Sequence, residues 1–167
     1  MHIPHSIKSR GRRQEFQRCI EDLLQTPDVR SMSGVGAHSE TNCLEHSLYV
    51  AYLSFLVCRR FHWDFMAAAR GGLLHDLFLY DRKEKESYEG RHLTSHPRTA
   101  LRNASQLFDL SDREKDIIVK HMWPVTIRFP RYKESYVVST MDKICALVEC
   151  SRVFYRLGHI RRKLNFA

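Results

Sequence analysis

The segment Ala67-Ala68-Ala69-Arg70-Gly71-Gly72-Leu73-Leu74, opened by Trp63-Asp64 and closed by His75-Asp76, constrains this chain more than any other. Its residues predict a helix, with Asp64 favourable at the positive end. Its alanines and glycines let a second helix approach closely. At its carboxyl end a helix stops being pure packing, and His75 and Asp76 can be presented into a cleft.

Helical patterning extends over most of the chain. Gln14 to Gln25 carries an apolar face of Phe16, Ile20, Leu23 and Leu24. Pro27 stops it, and 31–41 reads as a loop with Gly34 and Gly36. Asn42 and Glu45 form a capping-box pattern ahead of a helix over about Cys43 to Phe61, apolar enough to lie centrally in a bundle. The polar run Asp81 to Glu89, ending in Gly90, reads as a loop or short helix. Thr94 or Ser95 is placed to cap the next helix, with Pro97 in its first turn and Ala100, Leu101, Ala104, Leu107 and Phe108 as its buried face. Ser111 and Glu114 form a stronger capping box opening Asp112 to about His121. The last helix is expected over about Ser135 to Tyr155, on a face of Val138, Met141, Cys145 and Val148, with Gly158 ending it. The expectation is an all-α, compact single-domain helical bundle over 1–167, with basic terminal segments.

At 167 residues the chain can bury roughly two thirds of its extended surface. No apolar segment approaches the roughly 20 residues that span a bilayer, and no signal-peptide pattern opens the chain, so the reading is no membrane and a cytoplasmic location. Cys19, Cys43, Cys58, Cys145 and Cys150 are odd in number and lack a CxxC pair, which argues against a disulfide framework and a zinc ribbon and for structural thiols. The net charge of +8 draws on Lys8, Arg10, Arg12 and Arg13 at one end and on Arg152, Arg156, Arg161, Arg162 and Lys163 at the other. Such charge attracts an anionic, phosphorylated substrate. Nucleic-acid binding is the less favoured reading, because the clusters carry little aromatic interleaving.

Around His75-Asp76 stand His46, His96, His121 and Asp142, on separate helical segments. Imidazole nitrogen and carboxylate oxygen suit hard or borderline divalent metals. Four histidines and two aspartates supply donors for two ions, provided one carboxylate bridges. Taken singly, His46 or His121 reads more simply as a surface or satisfied core histidine. Asp142, between Met141 and Cys145 in an apolar helix, needs a cation or a buried donor if it faces inward. Lys143 is expected on a different face and not as its partner.

The order His46, His75-Asp76, His96, His121, Asp142 resembles the HD-domain superfamily over about residues 38–150. The strings Leu44-Glu45-His46-Ser47 and Gly72-Leu73-Leu74-His75-Asp76-Leu77 carry the likeness. The resemblance implies that His46, His75, Asp76 and Asp142 hold one ion. It further implies a two-metal subgroup in which Asp76 bridges to a second ion on His96 and His121, the two divalent ions being iron or manganese, with other divalent ions left open.

Members of that superfamily are mostly phosphohydrolases or phosphodiesterases, so the resemblance implies hydrolysis of a small phosphate ester, such as a nucleotide, by metal-activated water. Asp76 would set the ion spacing and orient the attacking water. Lys143 and Arg98 are candidates for holding the anion, with Arg82 and Lys83, whose simpler reading is surface charge. His38, in the glycine-containing loop, could donate to a leaving group, and Tyr80 could close the cleft, its plainer reading being packing. Cyclic-dinucleotide phosphodiesterases of the HD-GYP type share the ligand order. Their Gly-Tyr-Pro signature is absent here, however, Leu79 stands where they have lysine, and Asn42 stands at the additional acidic ligand. Cyclic di-GMP cleavage and a third metal are therefore not expected. Two alternatives remain in the reading: an HD-type di-iron oxygenase, and a noncatalytic regulatory or nucleic-acid-binding protein on the same fold.

Overall fold

The computed structural model describes residues 5–35, 42–79 and 92–150, with side chains over 10–35, 42–79 and 94–150. Helices α1 (His5–Gln25), α2 (Pro27–Ser31), α3 (Cys43–Arg60), α4 (Phe65–Leu74), α5 (His92–Leu107), α6 (Asp112–Lys120) and α7 (Lys133–Cys150) account for most of them, with a 3-10 turn at Met32–Gly34. No strand occurs among the described residues, so the all-α expectation holds.

Most helix starts follow their local chemistry. Asn42 Oδ1 accepts from the Glu45 amide at 2.8 Å, Asp64 Oδ1 from the Ala67 amide at 2.9 Å, and Ser111 with Glu114 completes both halves of its capping box. Several boundaries differ from expectation, α1 beginning at His5 rather than Gln14 and a 3-10 turn occupying Met32–Gly34 of the expected loop. Pro27 does more than stop α1: with Thr26 as N-cap it opens α2, where its missing amide costs nothing. Helix α5 begins at His92, so Thr94 and Ser95 lie inside it and Pro97 falls just past the first turn. Helix α7 begins at Lys133, because Asp116 gathers its entrance: the carboxylate accepts from the Arg131 amide (2.9 Å), the Tyr132 amide (3.4 Å) and Ser135 Oγ (2.7 Å).

Two apolar clusters meet across α3 and α4. One joins Phe16, Ile20 and Leu23 of α1 to Phe55, Leu73, Leu74 and Ala104; the other joins Val50, Ala67 and Ala68 to Ile117, Val138 and Cys145. The adjacent glycines of α4 serve different neighbours. A Cβ on Gly72 would lie 2.9 Å from Ala51 Cα on α3, and one on Gly71 would lie 2.8 Å from the Ile117 side chain on α6. Close approach of two helices, expected from the small residues, is therefore realised on both sides of α4. No helix among the described residues is long and apolar enough to cross a membrane.

Cys19, Cys43, Cys58 and Cys145 are buried, Cys150 is exposed, and no disulfide forms among them. Burial, reinforced by nearby carboxylates, pushes the Cys58 and Cys145 thiols up to about 12. A thiol held protonated is inert as a nucleophile, which agrees with structural thiols.

Candidate metal centre

Helix ends and helix interiors contribute differently to the polar cluster. His75 and His121 occupy equivalent places, each immediately after the last residue of a short helix, α4 and α6. Each ring points Nδ1 at the carbonyl three residues back, Gly72 O at 2.7 Å and Ile118 O at 2.8 Å. With a proton on Nδ1, Nε2 is left as a lone-pair donor facing inward. His46 projects from α3, His96 from α5 and Asp142 from α7. The turn carrying Asp76 is tied down by its own backbone: the Cys43 thiol donates to Asp76 O (3.5 Å) and Asn103 Nδ2 donates to Leu77 O (2.9 Å).

All six expected ligands come together. His96 Nε2 and His121 Nε2 are 2.8 Å apart, and Asp76 Oδ1 lies 3.4 Å from the first and 3.6 Å from the second. Across the cluster, Asp142 Oδ1 lies 3.1 Å from His46 Nε2 and 3.7 Å from His75 Nε2, with Asp76 Oδ2 3.6 Å from His75 Nε2. Two donors about 2.1 Å from one ion sit roughly 3.0 Å apart at a right angle and roughly 3.4 Å apart at a tetrahedral one. The observed spacings are close to edges of such a shell. Asp76 turns Oδ1 towards His96 and His121 and Oδ2 towards His75.

The cluster is buried: His46 and His75 are inaccessible, His121 is 1 % exposed and His96 4 %. His75 Nε2 and Asp76 Oδ1 nevertheless have no hydrogen-bond partner. Atoms of this kind left orphaned in an interior are costly, and a cation satisfies both. The donor set therefore fits a divalent metal ion.

Electrostatics inside the cluster is set by crowding. Burial acts against the charged form of Asp76, but His75, His96 and His121 overcome it and hold the carboxyl far below its usual range. Burial first, then the neighbouring His75 and His96, pushes His121 down to about 3, leaving it neutral as a ligand must be. Burial also opposes charge on His46, yet Asp142 and Glu149 on either side of the ring raise it to about 10.

Glu149 escaped the sequence reading. Both of its carboxylate oxygens lie 3.1 Å from His46 Nδ1, and it is 4 % exposed. Its signal was its position seven residues after Asp142, two helical turns along one face. The buried face of α7 is in fact Glu134, Ser135, Val138, Ser139, Asp142, Cys145 and Glu149, a more polar stripe than the expected Val138, Met141, Cys145 and Val148.

The other expected functional residues are less concentrated. Lys143, expected away from Asp142, instead places Nζ 3.6 Å from Asp142 Oδ2. Its ammonium also donates to His121 O (2.8 Å), Ser139 O (3.0 Å) and Ser139 Oγ (3.1 Å), so it braces the end of α6 against α7. Arg98 is exposed and lines a separate groove of about 330 Å³ with Thr94, Pro97, Val119 and Arg128, in which none of the six ligands takes part. His38, Tyr80, Arg82 and Lys83 lie outside the described residues. No family model matches this chain, and no match was found among curated proteins or solved structures. The likeness to HD domains rests on the ligand residues themselves.

Proposed function

We propose that this chain is an HD-type metal-dependent phosphohydrolase or phosphodiesterase acting on a small phosphate ester such as a nucleotide. The observation that carries the reading is the buried Asp76, its two oxygens facing opposite groups of imidazoles and Oδ1 lacking any hydrogen bond. His46, His75, Asp76 and Asp142 would hold one divalent ion, and Asp76, His96 and His121 a second. Iron and manganese are the metals we favour, on the mixed nitrogen and oxygen donors. Bound there, the ions would supply Lewis acidity towards phosphate oxygens and towards the water that attacks phosphorus.

The protein's own share is positional. Asp76 fixes the separation of the two groups of donors, and the backbone carbonyls behind His75 and His121 keep those rings in one tautomer. Lys143, already bonded to α6 and α7, adds fixed positive charge beside Asp142 rather than a mobile anion clamp. The net charge of +8 favours approach of an anionic ester from a distance. We place the activity in the cytoplasm, where the buried thiols stay reduced.

A metal-controlled screen tests the reading by following phosphate release from varied mono- and diesters together with oxygen consumption, with Asp76→Asn as control. Ester cleavage that requires Mn²⁺ or Fe²⁺ and disappears in Asp76→Asn is the expected result. Undiminished turnover in that variant overturns the mechanism. Metal-dependent oxygen uptake without ester cleavage would assign the centre to oxidation instead.

A further inference from the structure

His46 differs from His75 and His121 in where it stands. Those two follow helix ends, and the carbonyls that hold their Nδ1 atoms belong to last turns, where oxygens lack an amide partner within the helix. The backbone alone can orient such rings. His46 is the fourth residue of the 18-residue α3, in a first turn whose orphan backbone groups are amides and not carbonyls. A ring there has to be steered by another element. Glu149 of α7 meets Nδ1 with both oxygens at 3.1 Å, and its side chain is fully buried. Helix α7 thereby supplies two carboxylates to one imidazole: Asp142 beside Nε2 at 3.1 Å, and Glu149 behind Nδ1.

We propose that Glu149 is a positioning residue of the metal centre, holding His46 with its proton on Nδ1 and its Nε2 lone pair aimed at the ion shared with His75, Asp76 and Asp142. The inference rests on the ion-centre reading above. Glu149 touches the ring on the side away from that ion, so it acts through His46 and is not itself a ligand. A carboxylate in this place fixes the tautomer, fixes the ring's orientation and strengthens the nitrogen as a donor; losing such a partner typically weakens metal binding about 10- to 100-fold. His75 and His121 lean on neutral carbonyls and do not depend on Glu149. The effect is therefore confined to the His46 end, and the ion on Asp76, His96 and His121 is indifferent to it.

The test uses the full chain and Zn²⁺, a diamagnetic probe without redox chemistry. Zinc affinity is measured against a competing chelator for wild type, Glu149→Gln and Glu149→Ala, and nitrogen-15 spectra of the zinc-loaded proteins report the ring tautomers. The expected wild-type spectrum has His46 protonated on Nδ1. Glu149→Gln, which keeps an acceptor but loses the charge, weakens one of two zinc ions by about 10-fold, and Glu149→Ala weakens the same ion by up to about 100-fold. The second ion keeps its affinity, which general loosening of the fold would not allow. Wild-type affinity in both variants, or His46 protonated on Nε2 in the wild type, overturns the inference while leaving the ion centre standing. A wild-type chain that binds no zinc fails the ion-centre reading and this inference together. If Glu149→Ala does not fold, Glu149→Gln decides alone, because its size and its hydrogen bond are retained.

Discussion

Helix α4 carries two polar networks that look alike in composition and differ in completeness. On one side Arg70 is paired through both Nη1 and Nε: Nη1 donates to Asp22 (2.7 and 2.9 Å) and to Cys19 O (3.2 Å), and Nε donates to Glu114 Oε1 (2.8 Å). The other oxygen of Glu114 accepts from the Ser111 amide and hydroxyl at 2.7 and 2.6 Å. Charge meets opposite charge, and three helices are pinned together. Just past the end of α4, His75 and Asp76 enter a cluster that is only partly paired: His46 meets Asp142 and His96 meets His121, but His75 Nε2 and Asp76 Oδ1 are left over. A closed network stabilises the position of its helices; an open, convergent one is stabilised by a cation. Completeness, more than burial or residue type, separates scaffold from site.

The largest effect expected on this contrast is at Asp76, which both groups of donors share. Saturating Mn²⁺ at about 100 times its Kd should stabilise the wild type by about 2.7 kcal/mol. In a domain of this size that raises Tm by roughly 5–10 °C, and Asp76→Asn should lose most of the rise. Thermal melts with metal and with chelator measure it, and a full shift retained in the variant would dissolve the distinction between the networks.

Arg70→Met should show the converse. Leaving the buried Glu114 without its cation is expected to cost about 2–3 kcal/mol in chemical denaturation, with the number of bound ions unchanged. Altered ion stoichiometry in folded Arg70→Met would mean that the two networks are not separable.

Gly72 belongs to both regions, since it packs on α3 and its carbonyl steers His75. A Cβ 2.9 Å from Ala51 Cα must displace backbone, so Gly72→Ala should destabilise by about 1–3 kcal/mol despite the better helix propensity of alanine. Because the carbonyl moves with the helix, weakened metal binding should accompany the lost stability. Unchanged ion affinity in the destabilised variant would show that the ring is held independently of the packing.

The smallest effect concerns acid. Asp116 feels burial against its charge, but Lys120, Ser135 and the Arg131 amide overcome this and lower its pKa below the usual 3.8. Its contribution is therefore complete above about 3.8 and is lost as pH falls through the lower folded value. His46, raised to about 10 by Asp142 and Glu149, takes up a proton in competition with the ion, so ion-dependent stabilisation should vanish at a higher pH than this carboxylate-dependent part. Asp116→Asn should flatten only the acid limb, as followed by circular dichroism against pH. Coincident loss of both would argue against a metal held by histidine.

Much of this arrangement was legible before folding because the signals were local. Asn42, Asp64 and Ser111 carry their capping chemistry within three residues, and the glycines of α4 announced a close neighbour without naming it. The start of α1 was placed nine residues late, and those of α5 and α7 two to four residues late; for α7, Asp116 receives the entrance from another helix, a contact outside the local pattern. Lys143 was assigned to the wrong surroundings for a related reason. Its long stem lets Nζ reach His121 O and Asp142 Oδ2 from a position that helical spacing alone would turn aside.

The sequence by itself determined an all-helical chain, the helix ends that carry His75 and His121, and the six donor residues, because periodicity, caps and residue chemistry are properties of short segments. Only the tertiary structure decided that Asp76 divides its oxygens between two groups of imidazoles, that Arg98 faces a different groove, and that Glu149 stands behind His46 from 103 residues away. A buried carboxylate has no meaning in its own helix, where it interrupts an apolar pattern. It acquires one when another helix delivers the ring that makes its burial affordable.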